Sequence, residues 1–273
     1  MHALIFGGNG RIARAMTRLL LARAWTVTSI IRNPQQGPGI LALGRGQPGD
    51  IHVLQYDLRD LKTAQDAETL FNRTGATCAV FAAGSFSNPY AIDRDAAKAA
   101  IAAATSLPSV TKFLMISFPA SRRKPAPWWN SRDIADYTSE RAAYPDIGDA
   151  KIQADEYLVA MANPRRARGG GGQHAHAHAH GPPFQAISLR PTWLTTGRAT
   201  GRVSIGETRA LGQVSIEDVA AVAVEMLGRE DVSGWFDLVA GDVEIQEAVD
   251  SVVQGAVDCI EGEDVEAIYK LAD

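Results

Sequence analysis

The chain has 273 residues, of which 46% are hydrophobic and 21% are charged. This balance is typical of a globular protein and excludes a chain that is disordered throughout. The formal net charge of −4 gives no reason to expect a nucleic acid partner. No apolar run reaches about 18 residues, and no charged leader precedes the first apolar segment. The sequence therefore predicts a cytoplasmic protein with no membrane partner.

Short apolar segments with strand character alternate with segments of helical spacing over the first two thirds of the chain. The predicted strands are 2–6, 25–31, 51–56, 77–83, 110–118 and 186–189, and the predicted helices are 12–23, 61–71, 91–105 and 147–161. Near-continuous apolar strands are typical of a parallel sheet that is covered on both faces. The alternation predicts an α/β protein with a Rossmann-type doubly wound parallel sheet.

The pattern changes after residue 191. Ser215 and Asp218 have the spacing of a capping box and predict the start of a helix. A further strand over 235–239 and two short helices, 245–253 and 264–271, complete the chain. This predicts a small C-terminal α/β lobe within a single domain: a core over 1–162, an insertion over 163–183, and the last core strand with the lobe over 184–273.

The predicted insertion at 163–183 is of low complexity and carries four of the six histidines. They alternate with alanine at His174, His176, His178 and His180, so an extended backbone would place them on one face. A transition metal could bind such a row, but no fixed carboxylate or thiolate lies nearby. The composition favours a surface insertion that buries little apolar area, and no metal site is predicted.

A glycine-rich segment lies between the first predicted strand and the first predicted helix. Glycine permits a tight turn there and a close approach of the backbone to a pyrophosphate at the helix N-terminus. The small side chain of Ala13 lets the helix pack against the strand. In this context the motif predicts a dinucleotide site at Gly7, Gly8, Asn9, Gly10, Arg11 and Ile12.

The charges around this segment favour NADP(H) as the cofactor. NAD-specific sites usually have a carboxylate at the end of the second strand, but the first acid of this chain is Asp50. Arg32 stands at the end of the second strand instead. Its guanidinium can pair with a 2′-phosphate, and Arg11 can reach the same region.

These motifs resemble those of the atypical short-chain dehydrogenases/reductases, in particular the NmrA-like and biliverdin reductase B-like group. The residues that carry the likeness are Gly7 to Ala13, Arg32 to Pro34, Asp57-Leu58, Phe81 to Gly84, Leu189 to Leu194 and Ser215 to Ala220. The likeness covers nearly the whole chain except 119–146 and 163–183.

The resemblance assigns further cofactor contacts. It implies that Asp57 and Leu58 lie beside the adenine, although Asp57 has the alternative of a loop-start cap. It also implies that the adenosine ribose and the rest of the cofactor are lined by Ala82, Ala83, Gly84, Pro191 and Thr192.

The same resemblance assigns catalytic candidates and exposes one departure. Related enzymes reduce carbonyls with a serine, a proton-donating tyrosine and a lysine one helical turn later. Here Ser117 and Lys151 match the serine and the lysine, but Ile147 occupies the tyrosine position. Tyr144 is the nearest substitute, even though Pro145 is predicted to start the helix after it. Ser117 and Lys151 also have the alternatives of a plain strand-end hydroxyl and a surface lysine.

The segment 119–144 follows the fifth strand at the edge where such folds bind substrate. Trp128 and Trp129 could face a flat substrate, with the basic cluster 122–124 attracting acidic groups, or the tryptophans could pin the loop.

These residues support two hypotheses about function. The first is an oxidoreductase that transfers hydride from NADPH to an unidentified small organic acceptor without the usual tyrosine. The alternative is a non-catalytic, NmrA-like NADP(H) sensor or partner-binding protein.

Overall fold

A nine-stranded sheet forms the centre of the protein. The computed structural model describes residues 1–168 and 184–272. The strands are β1 His2–Phe6, β2 Thr26–Ile31, β3 Ile51–Gln55, β4 Cys78–Phe81, β5 Lys112–Ile116, β6 Gln185–Pro191, β7 Trp193–Thr195, β8 Arg202–Gly206, β9 Gln213–Ser215, β10 Gly234–Ala240 and β11 Val243–Glu244. Their order in the main sheet is β11-β8-β10-β6-β5-β4-β1-β2-β3, and β7 pairs with β9 in a small second sheet.

Helices cover both faces of the main sheet. They are α1 Arg11–Ala22, α2 Gly37–Leu41, α3 Ala64–Thr74, α4 Ala97–Ser106, α5 Ser131–Ala143, α6 Pro145–Arg168, α7 Ile216–Gly228, α8 Ile245–Gln254 and α9 Val265–Tyr269. A π-helical segment, Tyr90–Ala96, leads into α4. One core contains side chains of α1, α7 and α8, and the other contains side chains of α3, α4 and α6.

Successive side chains of β1 show how the sequence pattern builds both cores. Ala3 and Ile5 pack into the core on one face, while Leu4 and Phe6 pack into the core on the other. A strand buried on both faces has no polar alternation, which explains the continuous apolar run. The predicted α/β fold with a doubly wound, mostly parallel sheet is confirmed.

The C-terminal part of the chain continues the main sheet. β10 lies parallel to β6, and β8 pairs antiparallel with β10. The predicted helix start at Ser215 is confirmed, since its hydroxyl accepts a hydrogen bond from the backbone N–H of Asp218 at 2.9 Å. The Asp218 carboxylate in turn accepts from the backbone of Gly201 at 2.9 Å and so attaches the start of β8 to α7. The organisation of the chain as a single domain stays a prediction.

Helices α5 and α6 differ from the sequence-based expectation. The helix predicted over 147–161 extends to Arg168, inside the segment assigned to the insertion. Helix α5 falls within 119–144, which was expected to be a loop; the side chain of Asn130 caps it by accepting from the backbone N–H groups of Arg132 and Asp133. The histidine row lies outside the described residues. Within 1–168 and 184–272, no helix is long and apolar enough to cross a membrane, and no cluster suited to a metal occurs.

A fully buried arginine joins three parts of the fold beneath the carboxyl edge of the sheet. Arg190, on β6, pairs with Asp155 of α6 at 2.9 Å and with Asp237 of β10 at 2.8 Å. It also donates to the backbone oxygens of Pro119 and Ser121, which follow β5. Removing one partner of such a buried network is strongly destabilising, because it leaves an uncompensated charge.

This network has one more carboxyl group than it has arginines, which favours a proton on one of the carboxyl groups. Arg190 lies near a second buried pair, Arg122 with Glu263, so the network contains two arginines and three carboxyl groups. Burial raises the pKa of Asp237 to about 6, and it also raises the pKa values of Asp155 and Glu263 above their ordinary range. The fold therefore favours the protonated form of Asp237 relative to the unfolded chain.

We expect Asp237→Asn to flatten the pH dependence of stability. In the parent, the contribution of this carboxyl is fully present below its unfolded pKa of about 4 and is lost as pH rises through about 6. Between pH 4.5 and pH 7.5, the free energy of unfolding of the parent should therefore change by about 2 kcal/mol in the destabilising direction relative to that of the variant. Urea unfolding at both pH values measures this, with the exposed Asp242→Asn as control. Parallel pH profiles of parent and variant would contradict it.

Candidate functional site

A cavity of about 440 Å³ opens at the carboxyl edge of the parallel strands, within the ~300–1,000 Å³ of small-molecule sites. Segments that follow β1, β4, β5 and β6 meet there with α5 and α6. Many of the sequence-predicted site residues line this cavity: Arg11, Ile12, Ala82, Ala83, Gly84, Ser117, Tyr144, Lys151, Pro191 and Thr192. An open α/β sheet places ligands at this edge.

The glycine turn that borders the cavity has no room for side chains. A Cβ on Gly7 would lie 2.8 Å from Ala83 Cα, and Gly7 itself has a φ of +82°. A Cβ on Gly8 would lie 2.5 Å from the Cβ of Ser29. Gly10 caps α1 without a side-chain hydrogen bond, so the first-turn N–H groups are left for an anion. This geometry fits the pyrophosphate of a dinucleotide.

Arg32, Asp57 and Leu58 lie at the ends of β2 and β3, on the glycine-turn side of the sheet and outside the cavity lining. Arg32 is exposed, whereas Leu58 is buried. Asp57 caps the turn after it by accepting from the backbone of Arg59, and the Arg59 guanidinium pairs with it at 2.6 Å. The hydrogen bonds from Arg59 hold the pKa of Asp57 below its ordinary value, and Arg32 adds to this effect. Asp57 therefore has the capping role that the sequence left open, and its contact with adenine stays a prediction.

Lys151 is held at the cavity by a buried carboxylate that the sequence did not single out. Its ammonium pairs with Asp93 at 2.9 Å and donates to the backbone oxygen of Ile116 at 3.2 Å. Asp93 is 2% exposed and also accepts from the backbone N–H of Ser85 at 2.8 Å. An acid in an alanine-rich helical segment gives no signal of this role, because such residues usually face solvent.

The Ser117 hydroxyl is committed to the buried network. It donates to Asp155 at 2.6 Å, and Asp155 lies one helical turn after Lys151 on α6. Ile147, one turn before Lys151, lines the same cavity. Ile147, Lys151 and Asp155 thus form one stripe of α6, without a hydroxyl at the position where related enzymes have tyrosine.

Tyr144 ends α5, and Pro145 starts α6 directly after it, as the sequence predicts. The Tyr144 ring contacts Phe86 and Trp193 at the cavity mouth. Its role as a proton donor stays a prediction.

Thr192 provides a further test of whether a cofactor fits. Its side chain is buried, lines the cavity, and has a hydroxyl without a hydrogen-bond partner among the described residues. A buried hydroxyl without a partner is costly, and a ligand amide or hydroxyl would satisfy it. The residues present therefore fit a nicotinamide dinucleotide that extends from the glycine turn to Thr192.

The tryptophans of the segment 119–144 pin the loop and do not line the cavity. The indole N–H groups of Trp128 and Trp129 both donate to the backbone oxygen of Thr208 at 2.9 Å. Arg122 stacks over both rings, and Arg123 pairs with Glu156 at 2.7 Å. The alternative of a basic cluster that attracts acidic substrates is wrong for these two arginines, because their charges are already paired.

Comparison with known proteins identifies the family. The model of an NAD(P)H-binding family matches residues 7–163, which include the glycine turn and the Lys151 segment. The chain belongs to this NAD(P)H-binding family. The resemblance to the atypical short-chain dehydrogenases/reductases is thereby confirmed. No curated protein sequence matches the chain.

Solved structures share the fold at low sequence identity. An oxidoreductase from Lactococcus lactis is 19% identical, covers 93% of this chain and 97% of its own, and superposes with a TM-score of 0.68. An anaerobillin reductase from Escherichia coli O157:H7 is 18% identical, with coverages of 89% and 99% and a TM-score of 0.62. A yeast methylglyoxal/isovaleraldehyde reductase complexed with NADPH is 14% identical, with coverages of 88% and 78% and a TM-score of 0.58.

We expect Asp93→Asn to destabilise the protein by about 3 kcal/mol, because it leaves the Lys151 ammonium without a countercharge in a largely buried position. Urea unfolding measures the loss. The double variant Asp93→Asn/Lys151→Met should recover much of it, since both members of the pair are then removed. Asp95→Asn, in the same π-helical segment, is the control and should cost less than about 1 kcal/mol because its pair with Arg94 is partly exposed. Additive losses in the double variant would show that the pair does not hold Lys151.

Proposed function

We propose that the protein is an NADPH-dependent oxidoreductase that transfers hydride to a small organic acceptor without the usual catalytic tyrosine. One observation carries the proposal: the cavity that is lined by the fitted cofactor residues Lys151 and Thr192 is also lined by Phe86, Tyr144 and Trp193. The cavity therefore offers a wall for a second molecule beside the nicotinamide end of the dinucleotide.

The preference for NADPH over NADH rests on charge. No acid stands between residue 1 and Asp50, so β2 itself carries no carboxylate of the kind that NAD-specific sites have at this position. Arg32 is exposed at that strand end, and Arg11 starts α1 beside the glycine turn. Both guanidiniums are available for a phosphate, since neither forms an ion pair among the described residues.

When bound, the nicotinamide supplies the hydride. The chain's own residues would bind and orient it: the glycine turn would receive the pyrophosphate, Lys151 would bind the ribose hydroxyls, and Thr192 would offer a hydrogen bond to the carboxamide. Ser117 keeps the loop after β5 in place through Asp155, and its hydroxyl proton is already donated. With Ile147 at the tyrosine position, solvent supplies the proton that completes the reduction.

A second candidate function is that of an NmrA-like NADP(H) sensor. Two observations favour it: Ile147 replaces the expected hydroxyl, and the Ser117 hydroxyl is committed to Asp155. A sensor would bind the cofactor with the same residues and would show no turnover with any acceptor.

We expect Arg32→Ala to weaken NADPH binding by about 1–3 kcal/mol with little change for NADH, because only NADPH has the 2′-phosphate for a charge-assisted contact. Isothermal titration calorimetry of both cofactors measures this. Arg73→Ala is the matched control, since Arg73 is exposed at the end of α3, just before β4 begins. Equal losses for both cofactors would show that Arg32 does not read the phosphate.

We expect Ile147→Tyr to increase aldehyde reduction, because it places a hydroxyl one turn from Lys151 in the cavity wall. The gain should be well below the ~10²–10⁴-fold that a well-placed general acid gives, since the surrounding cavity is shaped around isoleucine. Turnover of aldehydes, flavins and quinones is measured beside cofactor affinity, with Ile147→Phe as the ring-only control.

The same assays separate the two functions. Turnover of at least one acceptor by the parent supports an oxidoreductase. Tight NADPH binding with no turnover across the panel, in parent and variant, supports the sensor. An equal gain in Ile147→Tyr and Ile147→Phe would show that the new hydroxyl does not act as an acid.

A further inference from the structure

Three aromatic rings meet at the mouth of the cavity, and we call them the aromatic rim: Phe86, Tyr144 and Trp193. They come from separate segments, after β4, at the end of α5 and on β7. Tyr144 makes edge-on contacts with both neighbours, with ring centroids 6.2 Å from Phe86 and 5.6 Å from Trp193. The rim therefore places ring surface around the opening of the proposed active site.

The exposure of the rim is unusual for such side chains. Phe86 is 79% exposed and Trp193 is 42% exposed. Leu194, beside them, is also exposed and lines the same cavity. Exposed apolar side chains that cluster around a cavity are typical of a ligand site, because binding removes their surface from water. Aromatic rings preferentially contact other rings, by stacking or edge-on packing.

Among the charged side chains that line the cavity, one carboxylate beside the rim has no ion-pair partner among the described residues. Four charged side chains line the cavity: Arg11, Asp93, Glu140 and Lys151. Asp93 and Lys151 neutralise each other, and Arg11 lies at the glycine turn, where the cofactor phosphates are proposed. Glu140 forms no ion pair in the part of the chain that the structure describes.

Glu140 lies one helical turn before Tyr144, and its backbone oxygen accepts the hydrogen bond of the Tyr144 N–H at 2.9 Å. The neighbouring Arg141 packs over Gly148 and is not part of the cavity lining. Glu140 is therefore the charged residue of the cavity lining that adjoins the rim along α5. A carboxylate or sulfonate on the acceptor would be repelled there.

We propose that the hydride acceptor is a planar conjugated ring system without an anionic group, of the quinone class, which the aromatic rim holds and Glu140 selects by charge. The proposal rests on the proposed oxidoreductase function. A site for acceptors with carboxylates would need free arginines. The two arginines that follow β5, Arg122 and Arg123, are already paired with Glu263 and Glu156.

The reaction balances with the cofactor, the quinone and one solvent proton. The C4–H bond of the dihydronicotinamide breaks, and its hydrogen leaves with both electrons to form an O–H bond on one quinone oxygen. The nicotinamide is oxidised, and the ring becomes a hydroquinone monoanion. The second oxygen takes a proton from water, which gives the neutral hydroquinone.

Binding of unreactive probes to the NADP⁺ complex tests the site without turnover. Calorimetry compares 2-naphthol, which is neutral at pH 7, with 2-naphthoate, which is an anion of the same ring system, and with the aliphatic alcohol cyclohexylmethanol. We expect 2-naphthol to bind at least tenfold more tightly than either of the other two. Trp193→Ala should weaken 2-naphthol binding about fivefold or more, and the exposed Leu271→Ala serves as the control.

Glu140→Gln should reduce the preference for 2-naphthol over 2-naphthoate several-fold, whereas Glu230→Gln, an exposed control, should leave it at the parental value. Equal affinities of the parent for both probes, or an unchanged preference in Glu140→Gln, would overturn the selection by Glu140. Equal affinities for 2-naphthol and cyclohexylmethanol, or an unaltered 2-naphthol affinity in Trp193→Ala, would overturn the aromatic rim.

Turnover separates this proposal from the proposed function. With NADPH, 1,4-naphthoquinone should be reduced with a kcat/KM at least tenfold above that for 1,4-naphthoquinone-2-sulfonate. Reduction of aldehydes or of the sulfonate in preference to the neutral quinone would keep the oxidoreductase and overturn the acceptor class. Tight NADPH binding with no turnover of any acceptor would overturn the proposed function, and with it the acceptor.

Discussion

The buried guanidinium of Arg190 is the interaction on which the geometry of the site depends. It joins β6 to α6 through Asp155, to β10 through Asp237, and to the loop after β5 through two backbone oxygens. A buried charge needs partners, so moving any of these elements away from Arg190 would be costly. Pro191 and Thr192 follow Arg190 directly in the chain and line the cavity, so the contacts of Arg190 also position them.

The same network explains why the Ser117 hydroxyl is engaged inside the protein, whereas the Lys151 ammonium lies at the cavity. Asp155 accepts from Ser117 and also lies one turn after Lys151 on α6, so the stripe that contains the lysine is attached to the buried arginine. Lys151 then points to the cavity, where Asp93 neutralises it. The serine thus supports the loop after β5. The lysine is the residue of this α6 stripe that presents a polar group to the cavity.

The cavity divides into two chemically distinct parts. At one end, Arg11 and the adjoining glycine turn provide positive charge and backbone N–H groups, which suit phosphates. At the other end, the aromatic rim and Glu140 provide ring surface and negative charge. Because Arg122 and Arg123 are paired with Glu263 and Glu156, the segment after β5 adds no positive charge to the second part. This separation supports a phosphate-bearing cofactor at one end and an acceptor without anionic groups at the other.

The sequence by itself determined the features that depend on neighbours along the chain. The alternation of apolar strands and helices, the glycine turn, the start of α6 at Pro145 and the Ser215 cap are local, since spacing and backbone geometry specify them. The capping box of Asn130 and Asp133 is a local signal for the start of α5 as well. Only the tertiary structure decided which distant residues meet. Asp93 with Lys151, Ser117 with Asp155, Arg122 with Glu263 and the three rings of the rim lie far apart in the sequence or on separate elements. Their partners are fixed by how helices pack across the sheet, which no local pattern encodes.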